Sequence, residues 1–479
     1  MRTLEVIELI RKGSLSVEEH THKVLEEAKT VNKEYHYFNV IAEEQALVRA
    51  KELDSQIKKG KKTGKLLGIP ISVKDAICVK GVESTAGSRI LEGYIPPFNA
   101  TAVQRCLDEG AVIIGKTAQD EFGFGGFSVN VGVGFQIPKN PFDVTRATGG
   151  SSGGCAGFTQ KTKHAHLSLG ESTGGSIVAP ASFCGVVGLC PTYGRVSRYG
   201  LMDYANSLDK IGPMAKTVDE AALLLEVIAG HDNRESTTLA QPAERYTSYL
   251  KKPLKGMKLG IVKEAFAKGN DPAMEKHVRD GIKRLEKEGA VCEDVSLKLA
   301  IKYGISAYYL VATSEASTNL AKYCGMRYGK HDKLEGSFNE YFTKVRSSNF
   351  GEEAKRRIML GTFARMAGYR DAYYLKALKV RSLIIQEYKK LFKTYDALIT
   401  PTMPMLPPTF AEIAKLTPLQ HYLADIMTVS PNLAGLPHLN MPCGMEKGLP
   451  IGMLLTADHL QEGKLVQLGS WLEGHGGGA

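Results

Sequence analysis

At 479 residues the chain exceeds the roughly 250–300 residues that one hydrophobic core usually spans, so it is expected to be a large domain with an appended region, or two domains. Hydrophobic residues make up 43% and charged residues 23%, which excludes a disordered chain. No run of ~18 apolar residues exists, which predicts no transmembrane helix and no membrane partner. The net charge of +10 admits an acidic or nucleic-acid neighbour, but the lysines are spread along the chain rather than gathered on one segment. The eight cysteines form neither a C-x-x-C pair nor a framework spacing, the pattern of free thiols in a reducing cytosol without a metal site. The acidic start, Met1-Arg-Thr-Leu-Glu5, does not read as a signal peptide, and a cytoplasmic protein is expected.

Residues 1–60 read as a helical segment. Ser16-Val-Glu-Glu19 predicts a capping box, and a second helix runs from about Glu43 to Lys58 and ends at Gly60. From about residue 68 short apolar runs broken by glycine take over, with Ile69–Val73 and Ala111–Ile114 as buried strands and Thr101–Glu109 as a helix. The stretch 122–200 is rich in glycine, serine and threonine, as backbone that approaches a ligand closely must be. Thr217-Val-Asp-Glu220 predicts another helix cap, and Asp271-Pro272 opens a helix that Gly289 closes. Met257–Val262, Ala290–Val295, Tyr395–Thr400 and Leu449–Leu455 read as strands, residues 298–395 as mostly helical, and the final Gly-His-Gly-Gly-Gly-Ala as a frayed tail. The whole is an α/β protein.

Two motifs match familiar patterns without the physics behind them. Gly110-Ala-Val-Ile-Ile-Gly-Lys-Thr117 has the spelling of a P-loop, but a helix precedes it and its middle residues form a hydrophobic strand whose amides belong to a sheet. G-x-S-x-G occurs at 149–153 and 170–174, yet His231, His421 and His438 have no pattern around them that would complete a triad.

Three segments carry chemistry. Gly68-Ile-Pro-Ile-Ser-Val-Lys-Asp75 ends an apolar strand on a lysine, and burial of that lysine would favour its neutral, basic form. The competing reading has Lys74 facing solvent or paired with Asp75. Thr148-Gly-Gly-Ser-Ser-Gly-Gly154 supplies two serines, and Gly170-Glu-Ser-Thr-Gly-Gly-Ser176 places consecutive glycine amides beside a serine, as an oxyanion hole requires. An ordinary glycine-rich turn fits the last pattern equally well.

Together with Asp120-Glu-Phe122, Asn140-Pro-Phe-Asp143, Ser207-Leu-Asp-Lys-Ile-Gly-Pro213 and Asn432-Leu-Ala-Gly-Leu-Pro437, these segments resemble the amidase signature family over nearly the whole chain. The block 355–374 is similar to the glutamine-hydrolysing subunits of tRNA-dependent amidotransferases. The resemblance implies a large mixed sheet flanked by helices on both faces, with the helical segment 1–60 packed on an amidase domain of residues 61–479. It implies Ser176 as nucleophile, Ser151 at a cis peptide bond as proton bridge, Lys74 as base, and the amides of Thr173, Gly174, Gly175 and Ser176 as oxyanion hole. Arg357 would pair with a substrate α-carboxylate and Asp425 with an α-amino group, while Gly125 and Tyr308 or Tyr309 line the pocket. The implied substrate is L-glutamine, and no cofactor is implied in this chain. ATP and Mg2+ would act in a partner, the B subunit, which also holds the tRNA, and a small C subunit would complete the heterotrimer. A stand-alone amidase for another carboxamide and a non-catalytic RNA-binding scaffold are the alternatives. The chain departs from the family pattern at Ser172, where many relatives have aspartate, at Val178, where many have arginine, and along Phe158–His166, while Glu171–Ser176 looks archaeal.

Overall fold

A computed structural model describes residues 2–61, 64–266 and 271–473; the glycine-rich tail lies outside the described residues. Eleven strands make one mixed sheet. They are β1 (Phe38–Ile41), β2 (Pro70–Lys74), β3 (Val112–Thr117), β4 (Leu167–Ser172), β5 (Val187–Cys190), β6 (Lys210–Ala215), β7 (Lys258–Val262), β8 (Val291–Val295), β9 (Ala397–Pro401), β10 (His438–Glu446) and β11 (Leu449–Ala457). Their spatial order is β1-β3-β2-β4-β6-β5-β10-β11-β9-β7-β8. Strand β2 runs parallel to β3 and β4, and β7 parallel to β8 and β9; the other pairings are antiparallel. Every residue of β2 to β6 is buried. Successive strand side chains point to opposite faces, so both faces of this half of the sheet are covered.

The strands expected from apolar runs appear within three residues of their predicted bounds as β2, β3, β7, β8, β9 and β11. Five others carry no such signal. Strands β4, β5 and β6 sit in glycine- and proline-containing sequence and are buried by the sheet rather than marked by their own hydrophobicity. Segment 1–60 is not wholly helical: between the helices Val17–Tyr35 and Glu43–Lys58, β1 forms the sheet edge against β3.

Two predicted caps take a different form. Ser16 accepts from the Glu19 amide (3.0 Å), but the Glu19 carboxylate turns to Lys23 (2.6 Å) instead of closing the box. The hydroxyl of Thr217 caps nothing; Glu473 accepts the Val218 amide instead, and Glu220 takes the amide and hydroxyl of Thr3 at 2.9 and 2.6 Å. The Glu473 and Glu220 contacts tie the segments at Glu473 and Thr3 to the helix Val218–Ile228. Asp271 caps its helix as predicted, accepting from Ala273 (3.0 Å). The P-loop spelling at 110–117 is indeed a central strand, and Lys116 donates to Ser84 (2.6 Å) and the Asp75 carbonyl (3.1 Å), away from solvent.

The helical stretch between β8 and β9 holds Lys298–Asn319, Phe338–Asn349, Glu352–Arg365 and Lys376–Leu391. The first and third cross where Gly361 lies; a Cβ there would come within 1.8 Å of the Thr313 carbonyl oxygen. Backbone cannot yield as a side-chain tip does, so Gly361→Ala forces the two helices apart. A loss of about 1–3 kcal/mol is expected, read as a lower chemical-denaturation midpoint than that of the unaltered chain.

Candidate active site

Parallel pairing of β2 with β4 aligns Val73 with Leu169 and brings their C-terminal ends side by side. Ligand sites in open α/β sheets form at such carboxyl ends. Lys74, the last residue of β2, is fully buried, and its ammonium nitrogen donates to Ser151 Oγ (2.6 Å), the Glu171 carbonyl (3.0 Å) and Glu171 Oε2 (2.8 Å). Lys74 therefore neither faces solvent nor pairs with Asp75. The Asp75 carboxylate serves Lys116 and the Thr85, Gly87 and Asn39 donors instead.

The Gly150–Ser151 peptide is cis, and Ser151 leads into the helix Gly153–Lys161. The amide of Ser152 donates to the Ser176 carbonyl (3.2 Å), which ties the two serine loops together. Ser176 precedes the helix Val178–Cys184 and is 6% exposed, whereas Ser151 has no exposed surface. Between β4 and that helix the chain turns tightly. Ser172 Oγ donates to the Gly174 carbonyl (3.0 Å) and Asn432 to the Thr173 carbonyl, while the amide of Ala179 donates to the Gly175 carbonyl (2.8 Å). Among the described residues no acceptor takes the amides of Gly174, Gly175 or Ser176. Gly174 cannot carry a side chain, because a Cβ would stand 2.9 Å from the Tyr308 ring. Two of the three departures from the family pattern are absorbed here: Ser172 closes the turn, and Val178 packs in a buried cluster with Cys155, Ala181 and Met214.

Beside these loops lies a cavity of about 200 Å³ lined by Gly125, Tyr309, Glu353, Arg357, His421 and Tyr422. Arg357 Nε donates to Glu353 (2.8 Å), and its guanidinium lies 5.2–5.6 Å from the ring centres of Phe124, Tyr204, Tyr309 and Tyr422. Arg357 Nη1 also donates to the Tyr204 hydroxyl, so four aromatic rings and Glu353 hold the cation in place and, among the described residues, Nη2 alone of its nitrogens has no hydrogen-bond partner. The Tyr309 hydroxyl donates to Asp425 Oδ2 (3.0 Å). Burial pushes the Asp425 carboxyl up to about 6, against the Tyr309 hydrogen bond and the Arg357 charge. Asp120 is likewise pushed up to about 6 by burial, although the amides of Asn130 and Ser128 donate to it. Gly125 leaves room for that carboxylate, since a Cβ there would meet Asp120 Cγ at 2.4 Å.

The structure thus brings Lys74 to Ser151, and Gly125, Tyr309 and Arg357 to one cavity, with Asp425 behind its wall, bonded to the Tyr309 hydroxyl and against Gly126, and with the Ser176 loop adjoining through Gly174 and Tyr308. It separates the two adjacent tyrosines: Tyr309 lines the cavity, and Tyr308 covers Gly174. His231, His421 and His438 bond none of the serines. Sequence reasoning leaves out Glu171, Asp209, Tyr204, Glu353 and Tyr422. Glu171 and Asp209 lie inside quoted motifs, but nothing in their spacing announces that the register of Ser172 with Lys210 sets them both against Thr173, which bonds Glu171 Oε1 (3.0 Å) and Asp209 Oδ1 (2.7 Å).

A mixed sheet that buries a lysine against a cis-linked serine, beside a glycine-amide turn, is the architecture of amide-directed acyl-transfer proteins, and the chain belongs to the amidase family. The family described as Amidase matches residues 19–466. The chain is 46% identical over 465 residues (97% of this chain, 94% of the relative) to the A subunit of glutamyl-tRNA(Gln) amidotransferase from Thermoanaerobacter pseudethanolicus. It is 47% identical over 455 residues (95% and 93%) to the protein of the same name from Cyanothece sp.. The crystal structure of the corresponding A subunit of glutamyl-tRNA(Gln) amidotransferase from Thermotoga maritima superposes with a TM-score of 0.79 at 35% identity, covering 96% of this chain and 93% of that one.

Folded Asp425 keeps its proton up to about pH 6, whereas the unfolded chain releases it near the ordinary value of 3.8. Its contribution to stability is therefore complete below about pH 4 and lost as pH rises through 6. Asp425→Asn cannot titrate, so its stability relative to the unaltered chain should rise by up to about 3 kcal/mol between pH 4 and 7. Urea midpoints of the two proteins across that range measure the difference.

Proposed function

We propose that the chain is the glutamine-hydrolysing subunit of a tRNA-dependent amidotransferase, with Ser176 as its nucleophile. The observation that carries the substrate reading is a small cavity lined by the Arg357 cation and by Tyr309, whose hydroxyl links the cavity wall to the buried carboxyl of Asp425. The cation and the carboxyl are complementary to the α-carboxylate and α-ammonium of an amino acid. At about 200 Å³ the cavity is smaller than the roughly 300–1,000 Å³ pockets of drug-sized ligands, which suits an amino acid better than a peptide.

Glutamine held there by Arg357, Asp425, Tyr309 and the backbone at Gly125, with Tyr308 over the turn, extends its side-chain amide toward Ser176. Ser176 attacks the amide carbon as its proton passes to Ser151 and the Ser151 proton to neutral Lys74. The amides of Thr173, Gly174, Gly175 and Ser176 receive the oxyanion, a role favoured by the free donors of Gly174, Gly175 and Ser176. Lys74 returns a proton through Ser151 to the leaving nitrogen, ammonia departs, and water hydrolyses the γ-glutamyl ester. The ammonia is used in the partner B subunit, with ATP and Mg2+, to convert Asp-tRNA(Asn) or Glu-tRNA(Gln) to the amidated form, and the heterotrimer is completed by a C subunit. The relatives' designation as A subunits of a tRNA amidotransferase supports this assignment.

With the B and C subunits co-expressed, the intact chain should release ammonia from L-glutamine and Ser176→Ala should release none above background. Equal release from both would remove Ser176 as nucleophile. Arg357→Ala should raise KM for glutamine at least about tenfold, the loss of a charge-assisted bond of roughly 1.5–3 kcal/mol, while a short aliphatic amide without an α-carboxylate is hydrolysed at the unaltered rate. Equal losses on both substrates would place Arg357 outside substrate recognition.

A further inference from the structure

Lys74 makes three hydrogen bonds at one nitrogen, with Ser151 Oγ and with the carbonyl and carboxylate of Glu171. The Glu171 carbonyl and carboxylate can only accept from Lys74, whereas Ser151 Oγ can accept or donate, so an ammonium bonding all three and a neutral amine receiving the Ser151 hydroxyl both fit this set of contacts. The mechanism above needs Lys74 neutral at the moment Ser176 is deprotonated. Lys74 and Ser151 have no exposed surface, so bulk water is not in contact with that nitrogen. The carboxylate ion-paired with it is Glu171, itself nearly buried. Glu171 Oε1 accepts from the Thr173 hydroxyl (3.0 Å), which also lies 2.7 Å from Asp209 Oδ1. Two carboxyl groups joined through one hydroxyl in a buried site do not both carry charge. Burial, and then the Glu171 charge, hold Asp209 well above the usual carboxylate range, and of the two carboxyl groups it is Glu171 that lies 2.8 Å from the Lys74 nitrogen. The other titratable groups facing this cluster are Asp120, from the loop after β3, Asp203, Lys210 of β6, whose nitrogen donates to the Leu436 carbonyl (3.0 Å), and the thiols of Cys155 and Cys190, both pushed up by burial.

We propose that Glu171 is a positioning residue that stores the proton Lys74 must release, so that the ammonium–carboxylate pair converts to an amine–carboxylic acid pair before Ser176 attacks. This rests on the reading of Ser176 as nucleophile. The protons balance. One passes from Lys74 to Glu171; the Ser176 proton then moves to Ser151 as the Ser151 proton moves to Lys74. As the tetrahedral intermediate collapses to the acyl-enzyme, Lys74 returns one proton through Ser151 to the departing nitrogen, and Glu171 then gives its own back to Lys74. The pair ends with the single proton it began with. Its total charge is the same before and after the internal transfer, so reactivity does not wait for Lys74 to lose a proton to solvent.

The test is the rate at which an alkyl fluorophosphonate labels Ser176 in the full chain co-purified with its partner subunits, from pH 6.5 to 9.5, for the intact protein and Glu171→Gln. The probe reports serine activation without glutamine recognition. The intact-to-variant rate ratio should be at least about tenfold at pH 6.5 and fall toward one by pH 9.5, because the variant must deprotonate Lys74 to solvent and a single ionisation changes the rate tenfold per pH unit. The titration of Asp120 is common to both proteins and cancels in the ratio. A ratio that stays constant with pH, at any value, overturns the proposal, since a merely structural loss has no such slope. Should the variant fail to fold, the intact chain decides alone: a labelling rate constant within about threefold between pH 7 and 9 is expected, and a rise of about tenfold per unit overturns it. Absence of any Ser176-dependent labelling of the intact chain removes the nucleophile reading and this proposal with it, whereas labelling without ammonia release from glutamine removes only the substrate.

Discussion

The structure of the site depends on one buried ion pair, Lys74 with Glu171. Taking an ammonium and a carboxylate out of water costs several kcal/mol per ion, and their attraction offsets this only when the remaining hydrogen-bonding capacity is also filled. Here it is filled. Lys74 has three acceptors, Glu171 Oε1 has the Thr173 hydroxyl, and the Glu171 amide and carbonyl both reach Ser152 Oγ, at 3.4 and 3.0 Å. The two parallel strands deliver these groups to one point because β2 and β4 are adjacent and in register. A one-residue slip of either strand would turn its whole side-chain set to the opposite face. The sheet therefore fixes the charge pair, and the charge pair fixes where the serine loops end.

Those loops are shaped by the bonds that remain. Ser151 is anchored through its hydroxyl by Lys74, and the Ser152 amide fastens the loop to Ser176. The turn from Thr173 to Ser176 uses its carbonyls and hydroxyls for structure, through Asn432, Ser172, Ala179, Glu171 and Asp209. Among the described residues, the amides of Gly174, Gly175 and Ser176 point at no protein acceptor. Buried amides in native proteins are nearly always paired, so three in sequence without an acceptor support the oxyanion role proposed for this turn.

Much of this is legible in the sequence and some is not, for identifiable reasons. Apolar runs announce β2, β3, β7, β8, β9 and β11, because each run's own residues carry the burial. Strands β4 and β6 are invisible: Leu-Ser-Leu-Gly-Glu-Ser and Lys-Ile-Gly-Pro-Met-Ala hold many of their positions with small or polar residues, and only neighbouring strands make them core. The site shows the same division. Lys74, Ser151 and Ser176 stand in motifs that can be quoted. Glu171 and Asp209 become partners of Thr173 through the antiparallel register of β4 with β6, a long-range fact that no local spacing contains. The adjacent tyrosines can be told apart only in three dimensions, since neighbouring residues on a helix point about 100° apart and Tyr308 and Tyr309 consequently meet different surroundings.

The division of labour along the chain has a physical consequence. The groups proposed to handle protons and the acyl carbon lie between residues 74 and 209, at strand ends and in turns held by the sheet. The groups that line the cavity come largely from the helices Lys298–Asn319, Glu352–Arg365 and Pro418–Leu423. Arg357 is held by aromatic rings and Glu353, not by any strand, so that helical wall can be rebuilt without disturbing the register that sets Lys74 against Glu171. Proteins of one family can accordingly share the reacting centre and differ in the amide they accept. In this chain the Tyr308 ring on Gly174 joins the two halves, at a point where no side chain can be inserted. That contact links substrate recognition to the oxyanion turn: a ligand that shifts the helix Lys298–Asn319 must either carry the turn with it or open a gap above the amides that would receive the charge.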